Sequence, residues 1–166
     1  KIEPVIAVSG QMDVSTVAFE ITAQGVSQSF FKANDRKIKK GRVPSDDENA
    51  ILITAEMEQM IGSNNGDIVG KDVKLTFYVP ETVDGVEGVK VMDLKESFKV
   101  VGALENGVGN HIYLPVSMVS SFNLPYSTIK VVVKNDKDLE DGKAVISGLG
   151  FSVSSIADTV DQANKI

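Results

Sequence analysis

The stretch from Asp67 to Val116 constrains the fold most, because it contains three runs with the alternating pattern of β-strands. In such runs every second residue is apolar, so one face of each strand can be buried while the other meets solvent. The alternating positions are Val73, Leu75, Phe77 and Val79, then Phe98, Val100, Gly102 and Leu104, and finally Ile112, Leu114 and Val116. Three strands with a shared apolar face can form a stable sheet. The pattern therefore predicts a central β-sheet.

Prolines in this stretch set two further expectations. Pro115 removes a hydrogen-bond donor from the third run, which favours a position at the edge of the sheet. Pro80–Gly88, between the first two runs, is rich in turn residues. It predicts an inserted loop, followed by a returning strand at Val89–Leu94.

The chain before this stretch alternates predicted strands with short predicted helices. The predicted strands are Val5–Met12, Val17–Gln24 and Ala50–Ile53, and the predicted helices are Ser27–Lys32 and one that Thr54 caps and Gly62 ends. The third of these strands is wholly apolar, which is typical of a buried strand. Thr54 supplies a side-chain oxygen of the kind that helix N-termini favour.

The chain beyond Pro125 follows a strand, helix, strand pattern. The first strand is predicted at Ile129, Val131 and Val133, the helix begins at its cap Asp138, and the second strand is Phe151–Ser155. An amphipathic helix is predicted over Ile156–Ile166. These patterns predict an α+β fold in which residues 1–32 and 126–166 form one split lobe, with a β-rich lobe at 33–125 inserted into it.

The composition excludes several classes of function. The 166 residues carry a formal net charge of −6, whereas a nucleic-acid groove requires a basic face. No apolar run approaches the roughly 20 residues of a membrane span, and no signal peptide opens the chain. The absence of cysteine excludes disulfides and thiolate chemistry. The abrupt beginning and end predict a domain excised from a longer protein.

The residues that could carry chemistry are few. His111 is the only histidine, so no imidazole pair can hold a metal, and no Gly-x-Ser-x-Gly elbow presents a nucleophile. Residues 136–142 resemble a calcium loop, but the glycine falls one position late and the twelfth residue is Ser147. The glycine pairs at 107/109 and 148/150 lack the third glycine of a dinucleotide fingerprint. We therefore expect no catalytic, cofactor-binding or metal-binding residue.

Two further clusters allow a binding role. The basic cluster, residues 36–42, carries five cations that could contact lipid phosphates or an anionic wall polymer. A solvated connector between the lobes is the simpler interpretation of this cluster. Phe30 and Phe31 could form the wall of a ligand site, but aromatics at the end of a helix usually belong to the core.

Five short motifs occur in order along the chain. They are Lys40-Gly41-Arg42 followed by Asp46-Asp47, the strand and helix of Ala50–Ile61, the Ile-Val-Gly-Lys start of a strand at Ile68–Val73, Phe98-Lys99-Val100-Val101-Gly102, and Ile112-Tyr113-Leu114-Pro115. Their order and spacing resemble the extracytoplasmic core domain of MacB/FtsX-type ABC transporter permeases over nearly the whole chain. The Pro80–Ser97 insertion departs from the family pattern, so no family feature is carried over to that edge.

The resemblance implies a non-catalytic extracellular or periplasmic domain between the first two transmembrane helices of a permease. It implies a porter-like lobe at 1–32 and 126–166, with a smaller lobe at 33–125 inserted into it. The implied partners are the permease's own transmembrane helices, a cytoplasmic ATPase domain or subunit, a second permease copy and an extracytoplasmic partner protein. The domain would move in response to ATP hydrolysis and thereby drive export, extraction or signalling.

The residues themselves leave two alternatives open, a free-standing extracellular binding or adhesion module and an enzyme of unfamiliar type. In the permease interpretation, Ile156–Ile166 is a stiff helical rod that transmits membrane motion to the domain. Its apolar residues Ile156, Val160 and Ala163 lie on one stripe.

Overall fold

The computed structural model describes residues 2–131, 133, 135 and 137–155, which contain eight strands and four helices. The strands are β1 (Ile2–Val14), β2 (Val17–Val26), β3 (Ile38–Gly41), β4 (Ala50–Ile53), β5 (Asp72–Val83), β6 (Val86–Leu104), β7 (His111–Pro115) and β8 (Thr128–Val131). The helices are α1 (Gln28–Ala33), α2 (Ala55–Asn65), α3 (Ser117–Ser120) and α4 (Lys137–Gly148). The fold is α+β, as predicted.

Six of these strands pair into a closed ring. β1 pairs with β2, β2 with β7, β7 with β4, β4 with β6, β6 with β5, and β5 with β1 again. β3 joins the ring beside β6, and β8 joins it beside β1. Closure gives each of the six strands a partner on both sides over part of its length. It also separates an interior from an outer surface.

The interior of the ring is one apolar core. In β5, Leu75 and Phe77 are fully buried, whereas Lys74 before them is exposed and Thr76 between them is partly exposed, which confirms the predicted alternation. α2 contributes Met57 and Ile61 to the same core. Burial of each large apolar side chain stabilises the fold by about 1.5–3 kcal/mol.

Gly10 allows β1 to pass close to β5 beside Phe77, the largest fully buried side chain of this core. A Cβ placed on Gly10 would lie 2.8 Å from Cδ1 of Phe77 and 2.3 Å from the carbonyl oxygen of Thr76. The Phe77 ring also packs on Phe122, with the ring centroids 5.7 Å apart. The missing side chain of Gly10 therefore makes room for Phe77.

The alternation predicted for the second run fails at its end. Phe98 and Val100 lie in the ring core as expected, but the pairing of β4 with β6 then passes over Val101. A bulge of this kind reverses the order of inward and outward residues beyond it. Ala103 therefore belongs to the ring core, whereas Leu104 packs in a second cluster outside the ring.

α1 covers this second cluster on the outer surface. Phe30 and Phe31 of α1 pack against Tyr113 of β7, with ring centroids 6.0 Å and 5.6 Å from that of Tyr113. Buried apolar side chains of β1, β2, β4 and β6 complete the cluster. The two phenylalanines are therefore core residues rather than a ligand wall.

Two predictions are wrong, one about the position of β7 in the sheet and one about the end of α2. β7 is not an edge strand, because it lies between β2 and β4, and Pro115 is its last residue, where a missing donor does not interrupt the pairing. α2 does not end at Gly62, since a helix tolerates an interior glycine at a cost of about 1 kcal/mol. It continues to Asn65, and the N–H of Gly66 donates to the Gly62 carbonyl at 3.2 Å.

The end of the chain matches its prediction in part. β8 and α4 are present, but Phe151–Ser155 has no regular secondary structure, so the predicted returning strand is wrong. The predicted helix Ile156–Ile166 lies outside the described residues. Within the described part, no helix is long and apolar enough to cross a membrane.

Residues 3–130 form one compact unit, and a second unit consists of residues 1–2 and 131–166, with α4 in its described part. These bounds differ from the predicted lobe boundaries at 32/33 and 125/126. The division into two lobes at those boundaries stays a prediction.

Candidate functional site

β5 and β6 continue beyond the ring as a two-stranded ribbon, defined here as residues 78–91. Among the described residues, β1 pairs with β5 only as far as Tyr78, and β3 and β4 pair with β6 only from Lys99 onward. Beyond those points the two strands pair with each other alone, ending at Val83 opposite Val86. Because an isolated hairpin is marginally stable, the ribbon depends on the ring from which it extends.

A two-residue turn of Asp84 and Gly85 joins the two strands of the ribbon. Both residues have positive φ angles, 52° and 79°, which is the sign pattern of the type I′ turn that Asp-Gly sequences favour. The loop predicted over Pro80–Gly88 is therefore wrong, because Pro80 lies in β5 and Gly88 lies in β6.

The outer face of the ribbon is apolar and exposed. Tyr78 is paired with Val91 and Pro80 with Val89, and paired residues share a face. Val89 and Val91 are 61% and 62% exposed. We call these four residues the valine face. Contiguous exposed apolar surface of this kind marks interaction sites on soluble proteins.

The charge on the ribbon is mostly negative. Glu81, Asp84 and Glu87 are exposed, and the one cation among residues 78–91 is Lys90. Glu87 lies on the same face as the valine face, since it continues the alternation of Val89 and Val91. The ribbon therefore carries net negative charge, with Glu87 on the valine face and Glu81 and Lys90 on the opposite face.

The valine face continues into a polar row on the outer surface of the ring. The row takes one residue from each of four neighbouring strands, namely Tyr78, Ser9, Thr22 and His111. The row and Glu20 line a shallow depression of about 470 Å³. The sequence analysis singled out only His111 from this group.

His111 lines this depression beside Thr22 of β2. Its Nδ1 atom is buried and has no hydrogen-bond partner among the described residues. Ser9 lies two strands away, which is roughly 10 Å at about 4.8 Å per strand and too far for direct proton transfer. The described part of the chain also contains no group of three His, Asp or Glu residues that could hold a metal ion.

Much of the basic cluster is neutralised by ion pairs. The ion pairs join Lys39 to Glu58 at 2.8 Å, Lys40 to Asp67, and Arg42 to Glu48 at 2.8 Å and 2.5 Å. The hydrogen bonds from Arg42 and from the Ser45 N–H lower the pKa of Glu48 to about 2. The hydrogen bond from Lys40 likewise lowers the pKa of Asp67. These contacts pair three of the five cations, Arg36 and Lys37 are exposed, and β3 places part of the cluster in the sheet.

The glycine motif at 107/109 holds a loop rather than a nucleotide. The N–H of Gly109 donates to the Glu56 carboxylate at 2.6 Å, and its carbonyl accepts from the Thr54 hydroxyl at 2.8 Å. Thr54 also caps α2 as predicted, because its Oγ1 accepts from the Met57 N–H at 3.3 Å. The loop before β7 is thereby fixed to the start of α2.

The acidic segment near α4 has a role in helix formation. α4 begins at Lys137, so Asp138 lies in its first turn, where carboxylates interact favourably with the helix N-terminus. Asp138 also accepts a hydrogen bond from the Asn135 side chain at 3.2 Å.

The closed apolar ring, the helix that covers its outer cluster and the exposed ribbon define an α+β domain. The chain belongs to the MacB-like periplasmic core domain family, whose model matches residues 1–149. The resemblance inferred from the ordered motifs is confirmed. The protein is therefore a domain of the MacB-like periplasmic core type.

Two solved structures share the fold. The periplasmic region of MacB from Actinobacillus actinomycetemcomitans is 18% identical and has a TM-score of 0.67, covering 99% of this chain and 75% of that one. The extracellular domain of the noncanonic ABC-type transporter YknZ from Gram-positive bacteria is 16% identical and has a TM-score of 0.63, covering 92% and 77%. No curated protein matches the sequence.

Proposed function

We propose that the chain is the extracytoplasmic domain of an ABC transporter permease and that it couples cytoplasmic ATP hydrolysis to export, extraction or signalling by a conformational change. The family match over residues 1–149 carries this proposal. ATP is hydrolysed by a separate cytoplasmic domain or subunit, and no residue of this chain takes part in the chemistry.

The ring supports the proposal because a mechanical coupler requires a stiff body. Its six strands pair in a closed circuit around one apolar core. Close-packed interiors have low compressibility and transmit a displacement instead of absorbing it. Motion applied at one point of the ring would therefore reach the rest of the unit, including the ribbon.

The proposed partners are the permease's own transmembrane helices on both sides of the domain, the ATPase, a second permease copy and an extracytoplasmic partner protein. The proposed lobes are residues 1–32 with 126–166, and residues 33–125, and β1 and β2 of the first lobe pair with ring strands of the second. Apolar spans of about 20 residues on both sides of this segment in its gene would support this arrangement. A secretion signal and a wall anchor would instead favour a free-standing binding module.

The coupling itself is tested in the full permease with its ATPase by breaking the proposed transmission helix at 156–166. Val160→Pro removes a helical hydrogen bond and kinks a helix at a cost of about 3 kcal/mol, whereas Val160→Ala preserves it. We expect the proline variant to hydrolyse ATP but to export or signal poorly, and the alanine variant to resemble the parent. Full coupling in the proline variant would overturn the proposal.

A further inference from the structure

In the ribbon, one edge of β6 pairs with no other described strand. Between Val86 and Val91, β6 pairs with β5 on one side and with no other described strand. Natural proteins usually protect long strand edges, because unpaired N–H and C=O groups recruit further strands. An edge left open beside exposed valines calls for an explanation.

Proline at position 80 determines which edge of the ribbon can accept a further strand. Pro80 lies within β5 and has no N–H, so its missing donor faces the outer side of β5 and weakens that edge. In an antiparallel pair, two directly opposite residues point their N–H and C=O groups either both towards each other or both away from each other. Val89, opposite Pro80, and Val91 therefore present their N–H and C=O groups to the free edge of β6.

The same residues supply the apolar part of the site. Val89 and Val91 contribute edge backbone groups and also the side chains of the valine face, with Tyr78 and Pro80 beside them. A strand added at this edge would form backbone hydrogen bonds and place every second side chain against the two valines. The ribbon thus provides both affinity and register.

Charge identifies the kind of strand that fits. The ribbon carries three carboxylates against one lysine, and the whole chain has a net charge of −6. A second copy of this chain would bring like charges together, and an anionic membrane surface would repel the ribbon. An extended segment with net positive charge that turns its apolar side chains to the valine face is complementary to the ribbon in hydrophobicity and in net charge. Its alternate basic side chains would lie on the opposite face, which carries Glu81 and Lys90.

We propose that the β6 edge and the valine face bind an extended, basic segment of a partner protein by strand addition. The proposal rests on the proposed function for the presence of an extracytoplasmic partner. Its test does not depend on that function, because binding to the ribbon is measured without ATP or membrane. A failure of strand addition would leave the Val160→Pro result unchanged, and the converse also holds.

The probe is a nine-residue peptide of alternating lysine and valine, with capped ends, titrated against the 166-residue chain at low salt. Three comparison peptides test its features: one with glutamate in place of lysine, one with a central proline, and one with serine in place of valine. We expect the Lys-Val peptide to bind at least about tenfold more tightly than each of the others, and its binding to weaken as salt rises.

Matched variants of the protein locate the site. Val89→Thr/Val91→Thr keeps β-branched residues but removes the valine face, and should weaken binding by about tenfold. Val83→Thr/Val86→Thr makes the same change at the tip of the ribbon on its other face, and should alter binding by less than about twofold. Melting temperatures close to the parent's for both variants show that the fold is intact.

Three results would overturn the proposal. The first is equal binding of the Lys-Val peptide to the parent and to Val89→Thr/Val91→Thr, or no binding at all. The second is equal binding of the proline peptide, which cannot pair at its centre. The third is self-association of the parent chain in sedimentation that Val89→Thr/Val91→Thr abolishes, because the occupant would then be a second copy.

Discussion

Strands β5 and β6 show two environments within one continuous pair. In the ring, Val73 and Val100 each follow a charged residue and are buried, at 2% and 0% exposure. In the ribbon, Val89 and Val91 stand on either side of Lys90 and are more than half exposed. The residue type and the pair of strands are the same, and the difference is that other elements cover the ring valines.

The difference shows that alternation identifies a strand but not the element that covers it. The ring valines are covered by α2 and by strands that come from both earlier and later in the chain. No described element covers the valine face. A face of this composition without a cover is available to another molecule, whereas an identical face in the ring is needed for folding.

The largest expected effect comes from placing the same charge in both environments of β6. Val100→Asp buries an unpaired carboxylate in the ring core and should lower the free energy of unfolding by about 3–5 kcal/mol. Val89→Asp leaves its carboxylate in water and should cost less than about 1 kcal/mol, mainly from lost β-propensity. Urea denaturation of both variants measures the difference. Equal losses would show that the ribbon is as covered as the ring.

A smaller effect comes from adding one methyl group to a glycine in each region. Gly10→Ala places its Cβ against the Thr76 carbonyl and Phe77, and should destabilise the fold by about 1–3 kcal/mol. Gly88→Ala in the ribbon meets no atom closer than 4.0 Å, and should be neutral or stabilising by up to about 1 kcal/mol. Thermal melts compare the two. A harmless Gly10→Ala would mean that β1 and β5 are not tightly apposed.

The sequence predicted most of what is local. The alternation of β5, the buried strand β4, the α1 phenylalanines and the Thr54 cap all follow from short-range patterns, and all are confirmed. The ordered motifs also led to the correct family, although each motif is short. None of these inferences required knowledge of which strands are neighbours.

The errors arose where pairing decides the outcome. The bulge after Val100 depends on the register of β4, which no pattern within β6 reveals. The central position of β7 depends on strands far away in sequence, so Pro115 alone was misleading. The ribbon is different, because Asp84-Gly85 between two valines is a strong hairpin signal. The turn-rich composition around it was interpreted as a loop instead.

The smallest expected effect is the change in folding stability at acid pH. It compares the ring core with the ion pairs on the protein surface. Among the described residues, no Asp, Glu, Lys or Arg side chain is buried, so acid should act on carboxylates outside the core. The ion pairs outside it should respond. Glu48 is the best probe, because Arg42 holds two of its oxygens and lowers its pKa from 4.5 to about 2.

The direction of this effect follows from linkage. A carboxyl group whose pKa is lower in the folded state stabilises the fold above its unfolded pKa, and loses that contribution as the pH falls through the folded value. The parent should therefore exceed Glu48→Gln in stability at pH 6, by less than about 1 kcal/mol for a pair this exposed to solvent. The excess should shrink between about pH 4.5 and 2 and vanish below that range. If the stability difference between the parent and Glu48→Gln stayed constant from pH 6 to 2, the Arg42–Glu48 pair would not contribute to folding.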